Sequence, residues 1–296
     1  MPVLFDTDIG SDIDDAVALA YLLTEPRCEL LGVTTVTGEP QVRAQLVDAV
    51  CQALGRPEIP IHSGAAKPFL VPQKQPEAPQ KVILPRYPHR ELFAANTAVD
   101  FLRQTIRSRP GEITLLSVGP LTNVGLLFAL DPEIPGLLKQ YVMMGGSYVN
   151  RPAGYGVMEW NTRGDPHATA VVFAADAPGT RCFGLDVTTK CRMPVDECRK
   201  RFNRGRLKVV ADMAEVWFQR RPEITFHDPL AAVGVFEPGV CTYQQGRVEV
   251  ELQSARLMGY TDFRPDAKTQ PHTVAVDVKP EAFFKKYFET VEKAAT

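Results

Sequence analysis

Short apolar runs that alternate with helical patterns constrain the fold of this chain more than any other feature. The predicted strands are residues 3–5, 30–36, 59–62, 113–118, 141–144 and 182–187. The predicted helices are residues 14–23, 41–54, 97–107, 121–130 and 165–174. Continuous runs of Val, Ile and Leu between amphipathic helices are typical of a parallel sheet with both faces covered. The alternation therefore predicts an α/β fold with an open, mostly parallel, doubly wound sheet, in which ligands bind beyond the carboxyl ends of the strands.

Two parts of the chain depart from this alternation. Between residues 65 and 90 six prolines fall among Gln and Lys, which predicts a long loop that is either a lid or a mobile insertion. Near the carboxyl terminus, residues 241–296, alternating Val and Glu at 247–251 predict a small antiparallel addition with one solvent-facing side. A helix from Pro280 to about Glu292 follows it. We expect a single domain over residues 1–296.

Composition excludes several classes of partner. The 296 residues carry a net charge of -2 and contain no long basic run, so nucleic acid is not an expected partner. The longest apolar runs are too short to span a membrane, and residues 1–5 lack the basic region of a signal peptide. The six cysteines show no zinc-site spacing, which is typical of free thiols in a reducing compartment. These features predict a cytoplasmic protein without a membrane partner.

The turn after the first predicted strand carries an unusual density of negative charge. Its carboxylates are Asp6, Asp8, Asp12, Asp14 and Asp15. One or two carboxylates suffice to cap a helix, whereas a cluster of this size raises the pKa of its members unless a cation neutralises it. Oxygen ligands without nearby His or Cys favour Ca²⁺ or Mg²⁺ over zinc. The turn therefore predicts a metal site, with an overcapped surface turn as the alternative.

Two other acidic motifs share features with this turn. An EF-hand loop that starts at Asp6 needs Gly at its sixth and Glu at its twelfth position, but Ser11 and Val17 stand there. A haloacid-dehalogenase-type phosphatase would use Asp6 as nucleophile and Asp8 as general acid. It also needs a later pair of acids at a strand end, and no clear pair follows. The phosphatase therefore stays open as a weaker alternative.

The acidic turn resembles the amino-terminal signature of the inosine–uridine-preferring nucleoside hydrolase family. Six further segments follow in that family's order, and their residues are 31–38, 119–123, 143–146, 159–166, 185–188 and 227–230. The resemblance implies a calcium-dependent hydrolase that cleaves the N-glycosidic bond of a ribonucleoside. It also implies an oxocarbenium-like transition state and a homodimer or homotetramer.

The resemblance also implies a role for individual residues. The implied Ca²⁺ ligands are the carboxylates of Asp8, Asp15 and Asp228 and the backbone carbonyl of Thr122. The implied catalytic residues are Asp8, which accepts a proton from water, and His227, which serves the leaving base. The implied substrate-binding residues are Asp14, Glu39, Met144, Asn150, Glu159 and Asn161.

Three departures from the family pattern bear on these roles. The family places its first metal Asp four residues before the Asp pair, but Asp12 stands at that spacing here, so Asp12 and Asp14 are both candidates for the sugar contact. Glu39 replaces a typical sugar-contacting Asn and cannot donate a hydrogen bond when ionised. Asn150 matches a further Asn of the family only loosely, because the spacing from Met144 to Glu159 is one residue longer than in the family. Glu39 keeps a further alternative open, namely a non-catalytic relative that binds ribose or calcium.

Overall fold

One nine-stranded sheet forms the centre of the protein, whose computed structural model describes residues 1–294. The main-sheet strands are β1 (Pro2–Thr7), β2 (Glu29–Thr35), β3 (Ile61–Ser63), β4 (Thr114–Ser117), β5 (Gln140–Met144), β6 (Thr180–Phe183), β9 (Cys241–Val250), β10 (Thr261–Arg264) and β11 (His272–Val278). Strands β7 (Arg192–Pro194) and β8 (Glu223–Thr225) form a separate antiparallel pair.

Twelve α-helices surround these strands in the described part of the chain. They are α1 (Asp14–Thr24), α2 (Pro40–Ala53), α3 (Ala98–Ser108), α4 (Thr122–Leu130), α5 (Ile134–Leu137), α6 (Trp160–Gly164), α7 (Pro166–Ala174), α8 (Leu185–Thr188), α9 (Val195–Phe202), α10 (Lys208–Phe218), α11 (His227–Phe236) and α12 (Pro280–Ala294). None of the helices among residues 1–294 is long and apolar enough to cross a bilayer.

The sheet order creates a switch point next to β1. The order is β3-β2-β1-β4-β5-β6-β11-β9-β10, and all pairings from β3 to β11 are parallel. The chain builds outward from β1 to β2 and β3, then restarts on the other side of β1 with β4. The carboxyl ends of β1 and β4 therefore diverge into different loops, which is where doubly wound sheets bind ligands. The predicted mostly parallel sheet is confirmed, as is the antiparallel addition, since β9 pairs antiparallel with both β10 and β11.

One predicted strand ends too late, and one stretch of the chain contains elements that were not predicted. The strand predicted at 182–187 ends at Phe183, and Leu185–Thr188 forms a helical turn instead. The reason is Asp186 within that turn, whose carboxylate accepts the backbone N–H groups of Tyr148, Val149 and Asn150 at 2.6–2.8 Å. Residues 192–236, for which no elements were predicted, contain β7, α9, α10, β8 and α11.

Residues 65–90, called the cover segment below, pack against the acidic turn. Ala78, Gln80 and Ile83 within it are fully buried, and Pro79–Arg86 forms a 3₁₀ helix. Proline at the first helical position suits such a short helix because its missing N–H would have no partner there. The cover segment is thus anchored to the acidic turn, where Gln80 donates to the carbonyl oxygens of Gly10 and Asp12 at 3.0 Å.

The cysteines agree with the expectation of free thiols. All six are unpaired, and all except Cys28 are buried. Burial raises the pKa of Cys51, Cys182 and Cys198 to about 12, so these thiols stay protonated at neutral pH.

Candidate active site

The acidic turn between β1 and α1 follows a path that only glycine permits. Gly10 has a φ of 116°, and a Cβ atom there would lie 2.7 Å from Leu46 Cδ1 and 3.0 Å from Ala78 Cβ. Residues with a side chain rarely adopt this backbone conformation, and the space is already filled. Gly10 therefore lets the acidic turn pack directly between α2 and the cover segment.

Three carboxylates from two distant parts of the chain meet beside this turn. One oxygen from each of Asp14, Asp15 and Asp228 lies within 4.8 Å of the others, and all three side chains are buried. Asp14 and Asp15 open α1, whereas Asp228 lies in the first turn of α11, and these two helices pack together. Burial, followed by the charges of the neighbouring carboxylates, raises the pKa of each of the three.

This donor set suits a hard divalent cation. Three carboxylates this close repel each other in a buried setting, and a bound cation would remove that repulsion. Since the grouped ligands are all carboxylate oxygens, Ca²⁺ or Mg²⁺ fits them better than zinc or copper. The interpretation of the acidic turn as an overcapped surface turn does not explain why Asp228 joins it from 214 positions away.

Asp8 lies next to this carboxylate group, against the turn that follows β4. A Cβ atom on Gly119 would lie 2.8 Å from Asp8 Oδ1, so the backbone of that turn approaches the carboxylate closely. Burial raises the pKa of Asp8, while Arg43 and a hydrogen bond from Gln75 oppose the rise. Asp8 is not among the three grouped carboxylates, so its predicted role as a metal ligand stays a prediction.

Thr122 belongs to the same turn and anchors it. Its hydroxyl donates to Asp165 Oδ2 at 2.8 Å, and Asp165 in turn accepts the backbone N–H of Ala168 at 3.0 Å as the N-cap of α7. The side chain of Thr122 is therefore structural, and its carbonyl stays a predicted ligand.

Arg43 is a fully buried cation behind the acidic turn, and no pattern in the sequence predicts this position. Its guanidinium donates to the carbonyl oxygens of Asp8, Ile9 (2.9 Å), Thr37 (2.8 Å) and Glu77 (3.2 Å). These carbonyls and the Ser11 hydroxyl, which the guanidinium also contacts at 3.2 Å, are neutral, so the charge of Arg43 is balanced at a distance by the surrounding carboxylates rather than by a direct ion pair. Arg43 holds the acidic turn, the β2–α2 turn and the cover segment together.

The cover segment contributes Gln75, which the sequence pattern does not predict either. Its Nε2 donates to Asp8 Oδ2 at 3.0 Å, and its Oε1 accepts from Trp160 Nε1 at 2.6 Å. The only sequence signal is the presence of glutamines in a proline-rich loop, and such composition does not show which of them turns inward.

Glu39, predicted to contact the sugar, has both carboxylate oxygens engaged with the cover segment. They contact Lys81 Nζ at 2.8 and 2.9 Å, and one of them also accepts the backbone N–H of Ala78 at 3.0 Å. Burial by itself would raise the pKa of Glu39, but Lys81, the Ala78 N–H and the charge of Arg43 together lower it. The observed contacts therefore favour an anchoring role, and the sugar contact stays a prediction.

Glu159, Asn161 and Met144 form a buried wall at the ends of β5 and α6. Glu159 caps α6 by accepting the backbone N–H groups of Asn161 (2.7 Å) and Thr162 (3.0 Å), and it also accepts that of Gly146 (3.0 Å). Asn161 Nδ2 donates to the carbonyl oxygens of Val118 (2.6 Å) and Met144 (3.2 Å). The amide oxygen of Asn161 is thereby oriented away from these carbonyls.

His227 and Asn150 occupy different environments. His227 Nδ1 lies 2.7 Å from Thr188 Oγ1, and the ring stands edge-on to Tyr155 with 6.4 Å between ring centroids. Burial, followed by the charge of Arg192, lowers the pKa of His227 to about 4, so the imidazole is neutral at pH 7. Asn150 is exposed, and its backbone N–H donates to Asp186 at 2.6 Å.

Asp6 is unsuited to the nucleophile role that a phosphatase would require. It is fully buried, and its Oδ1 accepts from Thr34 Oγ1 at 2.5 Å and from Asn123 Nδ2 at 2.7 Å. Burial raises the pKa of Asp6 to about 7, so a large fraction of the carboxyl is protonated at neutral pH. A buried and partly protonated carboxyl is a poor nucleophile.

Comparison with known proteins gives a consistent result along the chain. The family model described as inosine-uridine preferring nucleoside hydrolase matches residues 3–285. Uridine nucleosidase 1 of Arabidopsis thaliana is 31% identical over 88% of this chain and 80% of its own. The pyrimidine-specific ribonucleoside hydrolase RihA of Shewanella woodyi is 32% identical over 88% of this chain and 87% of its own.

Solved structures agree on the fold. A plant nucleoside hydrolase superposes with a TM-score of 0.84 at 25% identity and covers 98% of both chains. A purine-preferring ribonucleoside hydrolase from Gardnerella vaginalis superposes with a TM-score of 0.87 at 23% identity over 100% of this chain and 99% of its own. The plant nucleoside hydrolase and the purine-preferring enzyme thus share the architecture described above.

Proposed function

Because the chain belongs to the inosine-uridine preferring nucleoside hydrolase family, we propose that it hydrolyses the N-glycosidic bond of ribonucleosides to give ribose and the free base. The observation that supports this most strongly is the meeting of Asp14, Asp15 and Asp228 within 4.8 Å, next to the sheet's switch point. A fold alone does not imply an activity, but this buried acidic group is where such an enzyme needs its cation.

We assign Ca²⁺ to this acidic group. Asp15 and Asp228 would hold the ion, with Asp14, Asp8 and the Thr122 carbonyl as the further candidate ligands. A bound divalent cation lowers the pKa of water and neutralises the surrounding carboxylates. Calcium accepts six to eight oxygen ligands, which leaves positions for ribose hydroxyls and water beyond those that the protein supplies.

Residues of the chain would carry out the proton transfer, the charge stabilisation and the orientation of the sugar. Asp8 accepts the proton of the water whose oxygen forms the new bond to the anomeric carbon, while the electron pair of the broken C–N bond leaves with the base. Positive charge develops on the ribose ring in this step, and the buried carboxylates of Asp14 and Glu159 stabilise it. The Asn161 amide and Met144 line the same wall and orient the sugar.

The departing base needs a hydrogen-bond donor or a proton. His227 precedes Asp228 directly in α11, and we propose that its ring faces the base and donates one hydrogen bond from the neutral imidazole. Tyr155, which stands edge-on to this ring, would flank the base.

A nucleoside panel tests the proposed function. Purified protein is incubated with purine and pyrimidine ribonucleosides, with added Ca²⁺ or with excess chelator, and ribose release is measured as reducing sugar. We expect release from at least one nucleoside that chelator abolishes and Ca²⁺ restores. Asp228→Asn should lose this activity, whereas Asp6→Asn should be far less affected, because the Asp6 carboxyl is fully buried and already held by Thr34 and Asn123. Absence of release from every ribonucleoside would contradict the proposal.

The same experiment separates the two alternatives. A non-catalytic relative would bind ribose in the presence of Ca²⁺ without releasing base, which calorimetry with ribose detects. A phosphatase would release phosphate from a phosphate ester and would depend on Asp6 rather than on Asp228. The cytoplasmic location and the homodimer or homotetramer implied by the family stay predictions, and light scattering in solution tests the latter.

A further inference from the structure

The Gln75 side chain bridges the two sides of the proposed site. On one side, its Nε2 donates to Asp8 Oδ2 at 3.0 Å. On the other side, its Oε1 accepts from Trp160 Nε1 at 2.6 Å, and Trp160 lies between Glu159 and Asn161 in sequence. A single amide from the cover segment thus connects the acidic turn to the wall formed at the start of α6.

The partner of the amide oxygen fixes the orientation of the whole side chain. An indole N–H only donates, so it must face the oxygen of Gln75 rather than its NH₂ group. With the oxygen committed to Trp160, the NH₂ group faces the Asp8 carboxylate. The alternative flip would place two donors against each other at Trp160 and two acceptors against each other at Asp8.

The backbone that carries Gln75 is held at several points. A Cβ atom on Gly38 would lie 2.3 Å from the Gln75 carbonyl oxygen, so the β2–α2 turn touches the segment directly. Two residues after Gln75, the Glu77 carbonyl accepts from Arg43 at 3.2 Å. The Glu39 carboxylate then binds the Ala78 N–H and Lys81. These contacts fix the backbone on both sides of Gln75, so its side chain is held next to Asp8.

We propose that Gln75 is a positioning residue of this site, whose amide holds Oδ2 of Asp8 so that Oδ1 is directed to the cation and the attacking water. The proposal rests on the proposed function and deepens it, because it assigns the two Asp8 oxygens different tasks. Glu39 and Lys81 act indirectly, by holding the segment that carries Gln75. Hydrogen bonds that orient a metal-site carboxylate typically change metal affinity or activity by about 10- to 100-fold when removed.

Replacement of Gln75 by methionine tests the proposal, since Met keeps the length of the side chain and removes both hydrogen bonds. The matched control is Gln52→Met, because Gln52 Nε2 donates to Asp48 Oδ2 at 2.7 Å within α2, in the same kind of amide–carboxylate pair. For Gln75→Met we expect a kcat about 10- to 100-fold lower with a KM within about threefold, and a calcium dissociation constant about tenfold higher by calorimetry. Gln52→Met should leave all three values unchanged.

A second variant tests the orientation argument. Trp160→Phe removes the indole donor and frees the amide to flip, so we expect an intermediate loss of calcium affinity and kcat. In the double variant the loss should equal that of Gln75→Met alone, because Trp160 acts through Gln75. Urea unfolding of each variant verifies that the measured protein is folded.

The outcomes separate this proposal from the proposed function. If Gln75→Met alters the unfolding midpoint but leaves kcat and the calcium dissociation constant within twofold of the wild type, Gln75 is merely structural and the proposal is wrong. Strictly additive losses in the double variant would overturn the assigned role of Trp160. If the wild type hydrolyses no nucleoside, the proposed function fails, while the calorimetric comparison still shows whether Gln75 positions Asp8 toward the cation.

Discussion

The backbone N–H of Asp228 donates to the Asp14 carboxylate at 3.1 Å, across 214 positions of sequence. The bond ties the first turn of α11 to the first turn of α1, and the helix amino termini supply partial positive charge to the carboxylates gathered there. Helix dipoles of this kind offset only part of the repulsion among three buried carboxylates. Because of the remaining repulsion, we expect a cation to bind among these three carboxylates.

Asp228→Asn should separate the cost of this repulsion from the gain of calcium binding. The variant keeps the backbone N–H and the side-chain shape but removes one charge. We expect the calcium-free variant to be more stable than the calcium-free wild type by on the order of 1 kcal/mol, because one of the buried carboxylates that repel each other is removed. Its calcium affinity should fall at least about tenfold.

Chemical unfolding with chelator and with Ca²⁺ measures both effects. At about 100 times the dissociation constant, Ca²⁺ should stabilise the wild type by about 2.7 kcal/mol and the variant much less. The exposed Asp266→Asn serves as the charge-matched control. A calcium-free Asp228→Asn that is less stable than the wild type would show that repulsion does not dominate this group.

Arg43→Lys should damage the acidic turn while keeping its positive charge. One ammonium group cannot reach the four carbonyl oxygens that the guanidinium fork contacts, so buried acceptors are left unsatisfied at about 1–3 kcal/mol. Arg43→Met removes the charge as well and should cost more, about 3–5 kcal/mol, because the nearby carboxylates lose their counter-charge. Urea unfolding gives both values, with the exposed Arg256→Met as control. Equal losses in the two Arg43 variants would mean that the charge contributes nothing.

Glu39→Gln distinguishes an anchor of the cover segment from a contact to the sugar. If Glu39 acts through Lys81, then Lys81→Met should reproduce its kinetic effect, and the double variant should show no further loss. The partly exposed ion pair itself should contribute less than about 1 kcal/mol to stability. The comparison is made on kcat and KM for the best nucleoside. A KM that rises for Glu39→Gln but not for Lys81→Met would instead support the predicted sugar contact.

The sequence predicted those parts of the fold that depend on local pattern. Buried parallel strands such as β1 and β4 are continuous apolar runs, and Asp165 before Pro166 is a recognisable helix start. The strand predicted through 187 failed because Asp186 is buried by contacts with residues 148–150, which no local pattern contains. The amphipathic helices α9 and α10 were not predicted, although their charged faces gave a usable signal.

Residues of the candidate site could be predicted where they belong to short motifs that follow one another in a recognisable order. They could not be predicted where their contacts depend on how a long loop folds. Asp14, Asp15 and Asp228 follow from the acidic turn and from the resemblance of 227–230 to its family. Gln75 and Arg43 reach the site through long-range packing of the cover segment, and neither has a local signature. The same packing engages Glu39, whose role could not be inferred from its position after Gly38 alone.

His272 should make the folded protein sensitive to mild acid at a place remote from the site. Its Nδ1 accepts the Val248 N–H at 2.9 Å, and its Nε2 lies 3.2 Å from the Phe173 carbonyl oxygen, so the neutral ring satisfies both partners. Burial lowers the pKa of His272 to about 4, although Asp176, itself paired with Arg247, partly opposes this.

Between pH 6.5 and 4 the unfolded chain therefore binds a proton that the folded protein refuses, and stability falls as the pH falls through this window. For an unfolded pKa of about 6.5, the expected loss between pH 7 and pH 5 is about 1–2 kcal/mol from this residue. His272→Asn retains an acceptor for Val248 and cannot titrate. We expect its unfolding free energy to be lower than that of the wild type at pH 7, but to fall by about 1–2 kcal/mol less between pH 7 and pH 5. Parallel pH profiles of the unfolding free energy for the wild type and His272→Asn would contradict this prediction, because they would show that His272 binds a proton equally well in the folded and the unfolded protein.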